Sequence, residues 1–123
     1  MKILYIDLSW LAKATTGEYD GLTKSLCTTY KHHVKVIYGD VKRSSCREEI
    51  LSDLRYSYNV TIQHIPMGPK YETGANSIIA VGLTNSINSG QISKELVILS
   101  NDPTWNMLRT ICLEKDVTIK LIS

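Results

Sequence analysis

The sequence predicts an α/β domain in which a parallel five-stranded sheet is covered by helices on both faces. Two observations carry this expectation. Five short apolar runs of strand length recur along the chain, and four stretches with helical spacing of apolar residues lie between or behind them. The 123 residues suffice for one hydrophobic core and not for two, and there is no repeat, linker or low-complexity tract to divide them.

The first run, "KILYIDL" (2–8), is continuously apolar up to its aspartate and reads as a strand buried on both faces. "GEYDG" (17–21) has turn composition. Leu22, Leu26 and Tyr30 then fall at a spacing of four and predict the first helix. "VKVIYG" (34–39) alternates more and is expected nearer a sheet edge. Ser45 with Glu48 has the form of a capping box opening the second helix, whose stripe is Ile50, Leu51, Leu54 and Tyr58. "VTIQHI" (60–65) is the third strand, and the third helix places Ala75, Ile78, Ile79, Leu83 and Ile87 on one face. "ELVILS" (95–100) is the fourth strand. The last helix starts after Asp102, with Pro103 in the favoured first position and a stripe of Trp105, Leu108, Ile111 and Cys112. "VTIKLI" (117–122) completes the set.

Composition narrows the classes of function. The formal net charge of +2 is too small to announce a nucleic-acid partner by itself. Residues 1–70 carry ten Lys and Arg against seven Asp and Glu, so any basic face belongs to that half. Cys27, Cys46 and Cys112 are far apart and odd in number, which argues against a zinc or redox motif and for buried free thiols. That suits a reducing, cytoplasmic location. The opening residues lack the features of a signal peptide, and no run has transmembrane length, so no membrane association is expected and the "NVT" sequon at 59–61 is accidental. No Walker loop, dinucleotide fingerprint or nucleophile elbow is present.

In parallel sheets, ligands bind beyond the carboxyl ends of the strands where the strand order reverses. The residues just after the strands are therefore the candidates: Asp7 to Trp10, Asp40, the segment 66–72, and Ser100 to Asp102. Taken alone, Asp102 before a proline reads as a helix cap. Asp7 taken alone reads as a cap or loop acceptor. Together they mean more, because two carboxylates brought to one cleft repel unless a proton or a cation joins them. Mg²⁺ needs only one or two carboxylates, and so does not exclude a pair.

Three stretches, "ILYIDLSWL", "ETGANSIIAVGL" and "LVILSNDPTWNMLRTICLEKDVTIKLI", resemble the signature regions of PIN-like nucleases, in particular the NYN branch. The likeness covers the first dozen residues and roughly the last fifty. It implies a three-layer sandwich with sheet order 3-2-1-4-5, and an acidic cluster that binds Mg²⁺ or Mn²⁺ for hydrolysis of RNA. Within it, Asp7 and Asp102 stand at catalytic and metal-binding positions. Trp10 stands where an Asn is frequent, and Asn76, Gly82 and Thr104 stand where carboxylates are usual. Asn76 offers a neutral oxygen to a metal, and Glu72 is the nearest substitute carboxylate. Thr104 and Ser100 are candidate hydrogen-bond donors to a nucleic-acid phosphate. Lys42, Arg43 and Arg47 are candidate phosphate contacts, and Tyr71 a candidate stacking platform. The adjacent His32 and His33 do not have the facing geometry of a metal site.

These residues predict a PIN/NYN-like protein with a depleted acidic site, weak or inactive as a nuclease, that binds RNA or a protein partner. Two alternatives stand beside it. One is an active Mg²⁺- or Mn²⁺-dependent ribonuclease. The other is a pure protein-interaction module, an inhibitor or decoy built on a nuclease scaffold.

Overall fold

The computed structural model describes residues 1–13, 17–66 and 75–123. Five parallel strands form one sheet in the order β3-β2-β1-β4-β5, the order implied by the resemblance. They are β1 (Lys2–Ile6), β2 (Val34–Gly39), β3 (Thr61–His64), β4 (Glu95–Leu99) and β5 (Thr118–Ile122). The helices are α1 (Leu8–Lys13), α2 (Gly17–Thr29), α3 (Glu48–Ser57), α4 (Ala75–Asn88) and α5 (Leu108–Glu114), with a 3-10 helix at Pro103–Met107. None of the described helices is long and apolar enough to cross a membrane.

Strand alternation divides the core in two. On β1, Ile3 and Tyr5 face one side, while Leu4 and Ile6 face the other. The first side is covered by Ile79, Leu83 and Ile87 of α4, by Trp105 of the 3-10 helix and by Leu108 and Cys112 of α5. The second is covered by Leu8, Trp10 and Leu11 of α1, by Cys27 of α2, and by α3. This distribution is what right-handed crossovers give when the sheet is built first in one direction from β1 and then in the other.

Several elements differ from expectation. The first strand stops at Ile6, and residues 8–13 form a separate helix. The segment 17–21 is helical, not a turn. The buried line of α2 is Thr23 and Cys27, so Leu26 and Tyr30 lie at its margin and Leu22 faces outward.

β2 is interior, hydrogen-bonded to both β1 and β3. Its alternating look came from Lys35, which is buried. The Lys35 ammonium donates to the carbonyls of Lys31 and His33 at 3.1 and 3.2 Å and closes the turn after α2. Ser45 does not cap α3. The Ser44 hydroxyl takes the Cys46 N–H at 3.0 Å, holding residues 44–46 in a bend, and the helix opens at Glu48 with Arg47 at the cap position. Glu48 and Glu49 still place negative charge in the first turn, where the helix dipole favours it.

The ends of α3, α4 and α5 share a device. Asn59, Gly90 and Asp116 take positive φ of 57°, 81° and 57°, and the chain then turns toward the next strand. The buried Val60, Ile92 and Val117 follow these residues and bond back to carbonyls of the helices they leave.

Candidate functional site

β1 and β4 are neighbours, with Ile6 opposite Leu99, so the residues that follow them meet at the carboxyl edge of the sheet. The Asp7 N–H donates to the Leu99 carbonyl at 3.0 Å, and the Ser100 N–H to the Ile122 carbonyl at 2.9 Å. Both ladders thus extend one residue beyond the strands, fixing the two backbones before any side chain is considered. Asp7, Ser100 and Asn76 are buried and Asp102 is half-buried. Asn76 lies in the first turn of α4, on the same face as Ile79, Ala80, Leu83 and Ile87. That face, rather than one including Ile78, is turned to the sheet; Ile78 is 47% exposed.

The side chains form one connected network. The Asn76 amide Nδ2 donates to Asp7 Oδ2 at 3.2 Å and to Asp102 Oδ2 at 2.8 Å. The Ser100 hydroxyl donates to Asp7 Oδ2 at 2.5 Å and accepts from the Asp102 N–H at 3.1 Å. Asp7 Oδ1 accepts from the Ser9 N–H at 2.9 Å. Asp102 Oδ1 accepts from the Thr104 N–H at 2.9 Å and from the Thr104 hydroxyl at 2.7 Å. Asp102 caps the 3-10 helix, with Pro103 next to it, and shares the Asn76 amide with Asp7.

Two N–H arms of one amide hold acceptors roughly 5 Å apart. At an effective dielectric of about 20, two full charges at that distance repel by about 3 kcal/mol. A hydrogen bond to a charged group contributes about 1.5–3 kcal/mol. The two bonds from Asn76 are thus of the right size to offset the repulsion. The amide orientation follows from the same balance, since the reverse orientation would aim its oxygen at both carboxylates.

Tyr5, two residues before Asp7 and on the same face of β1, lies beneath this network. It is fully buried, and its hydroxyl has no hydrogen-bond partner among the described residues. Its ring stacks on Tyr38 at 6.0 Å and tilts against Trp105 at 5.1 Å. Burial, then the charge of Asp7, with Tyr38 and Asp102 adding to it, pushes its phenol well above the ordinary tyrosine range. Tyr5 therefore remains a neutral donor at any physiological pH. Sequence reasoning missed it, although the i, i+2 spacing from Asp7 within a strand was the signal.

The other candidates are dispersed. Trp10 is buried in the core on the opposite face of the sheet. Gly82 is exposed on the outer side of α4 with open space around it. Lys42 and Arg43 are exposed in the turn after β2, and Arg47 is exposed just before α3. Asp40 and His64, at the ends of β2 and β3, approach to 3.7 Å. His33 sits at the far end of the sheet, 3.4 Å from Glu95. Glu72 and Tyr71 lie outside the described residues.

Among the described residues there is no group of three or more His, Cys, Asp or Glu side chains placed to hold a metal ion. The donor set at the Asp7–Asp102 pair does not fit Mg²⁺ as arranged. That ion requires oxygen ligands in near-octahedral geometry, and the space between the two carboxylates is spanned by an N–H₂ group. Comparison of the chain with protein-family models, with curated proteins and with solved structures finds no match.

Proposed function

We propose that this chain is a PIN-like protein of the NYN type that binds single-stranded RNA and cleaves it weakly or not at all, in a cytoplasmic setting. The observation that carries the reading is the Asn76 amide between Asp7 and Asp102, where the resemblance expects a cation and further carboxylates. The strand order and the meeting of Asp7 with Asp102 support the likeness. The hydroxyls of Ser100 and Thr104 are directed at the carboxylates, so the exposed Lys42, Arg43 and Arg47 are the better phosphate contacts. None of the three cysteines is in a disulfide, as suits a reducing compartment.

Fluorescence anisotropy with a labelled single-stranded RNA tests binding, and gel analysis of the same RNA in Mg²⁺ and Mn²⁺ tests cleavage. The expected result is salt-sensitive binding, weakened by charge reversal at Lys42, Arg43 and Arg47, with at most slight cleavage in Mn²⁺. Each phosphate contact removed should flatten the salt dependence by about 0.7 in log–log slope.

The ribonuclease alternative is favoured by one observation, that Asp7 and Asp102 reach the same side chain. Robust Mg²⁺-dependent cleavage abolished by Asp7→Asn would establish it. The interaction-module alternative is favoured by the apolar Ile78 and Val81 on the outer side of α4. A chain that binds neither RNA nor Mn²⁺ at low salt would leave that alternative standing.

A further inference from the structure

We infer that Asn76 performs in this chain the work that a divalent cation performs in the proteins it resembles: its neutral amide holds the two carboxylates together, so that the acidic cluster is assembled without metal. The comparison with a cation rests on the PIN-like reading above; the clamp itself rests on geometry. Every carboxylate oxygen of the pair already accepts at least one hydrogen. Asp7 Oδ1 has the Ser9 N–H, and Asp7 Oδ2 has Ser100 and Asn76. Asp102 Oδ1 has both donors of Thr104, and Asp102 Oδ2 has Asn76. All of these donors are uncharged. Of the donors just named, Asn76 touches both residues by its side chain's own hydrogens, and it is itself buried.

A carboxylate at position 76 would have nearly the same shape and the opposite hydrogen-bonding sense. It would turn two attractive contacts into two repulsive ones and place three carboxylates about one point. Such a cluster needs a cation or a proton to persist. Asn76→Asp is therefore the single change that converts a metal-independent cluster into a metal-dependent one.

The test is thermal unfolding of the whole chain in chelator and in millimolar Mn²⁺, with Mn²⁺ uptake followed by the loss of the free-ion EPR signal. The wild type is expected to unfold at the same temperature in both and to take up no stoichiometric Mn²⁺. N76D is expected to unfold several degrees lower in chelator and to recover with Mn²⁺ while binding about one ion per chain. Asn76→Ala is expected to be less stable than the wild type in chelator. Stoichiometric Mn²⁺ uptake by the wild type, or an N76D protein as stable as wild type in chelator, overturns the inference.

Should N76D stay unfolded under both conditions, the other two proteins decide. A destabilised N76A beside a Mn²⁺-indifferent wild type supports the clamp, and an N76A as stable as wild type refutes it. Failure of RNA binding in the anisotropy assay would sink the RNA reading and leave these unfolding temperatures unchanged, so the two ideas fail separately.

Discussion

Ser100→Ala removes one oxygen atom from the buried edge of the sheet and changes no charge. The lost hydroxyl donates to Asp7 Oδ2 at 2.5 Å and accepts from the Asp102 N–H at 3.1 Å. The first is a hydrogen bond to a charged group, worth about 1.5–3 kcal/mol, and the second a neutral one worth about 0.5–1.5 kcal/mol. Because alanine fills nearly the same space, no cavity of consequence adds to this. The expected cost is roughly 2–4 kcal/mol. In urea that displaces the unfolding midpoint by on the order of 1–2 M with an unchanged slope. Ser77→Ala, on the exposed side of α4, is the control, and should be neutral or slightly stabilising because alanine is the better helix former. A second control is Asp7→Asn with and without Ser100→Ala, where the two costs should be clearly less than additive. If Ser100→Ala costs no more than Ser77→Ala, the hydroxyl does not bridge the two aspartates.

The rotation of α4 that aims Asn76 has its own test: Ile79→Ala should cost about 2–5 kcal/mol, whereas Ile78→Ala should stay within about 0.5 kcal/mol, both by urea unfolding. Glu95 lies against Lys120 at 3.2 Å and His33 at 3.4 Å; burial raises its carboxyl, but these neighbours more than offset that and hold it below the ordinary glutamate range. A lowered folded value contributes stability above the unfolded value and loses it as pH falls through the folded one. Glu95→Gln should therefore lower the melting temperature at neutral pH, with the difference closing in acid. The Cys27 thiol is pushed from 9.0 up to about 11 by burial, partly offset by Lys35. Its thiol form supports the fold below pH 9.0 and loses that contribution as pH rises through about 11. In the folded protein at neutral pH, mass-spectrometric thiol labelling should reach the half-buried Cys46 well before Cys27 or the buried Cys112.

The fold was legible in the sequence because its strands carry their signal locally. Runs such as "KILYI" and "ELVIL" are apolar on both faces, and only a sheet covered on both sides buries them so. Strand order was reached through the motifs, since pairing over long sequence separation leaves no local trace. Helix faces were less legible. α4 contains no charged residue, so Ile78 and Ile79 compete for the core on equal hydropathy and packing alone decides between them. The misread position of β2 came from the ammonium of Lys35, whose role depends on two carbonyls that composition does not reveal. At the site, Asp7, Asp102, Asn76 and Ser100 were all identifiable as strand-end or motif residues. What escaped was polarity. Asn76 was read as an oxygen donor to a metal, yet its nitrogen faces the carboxylates, a choice set by a meeting of residues 69 and 26 positions apart.

The pairing of β1 with β4 also dictates when the cluster comes into being. Ile6 and Leu99 lie side by side, yet about three-quarters of the chain separates them, and such contacts close slowly because so much disorder must be surrendered first. A chain emerging in order presents β1 and can pair it with β2 early, but the other edge of β1 stays open until β4 arrives. Of the partners of Asp7 named above, the Ser9 N–H alone is local in sequence. Ser100 is delivered by the same event that encloses the apolar strand, and Asn76 by the helix that leads into β4. Amide hydrogens along β1 and β4 should accordingly exchange together, at a rate close to that of global unfolding.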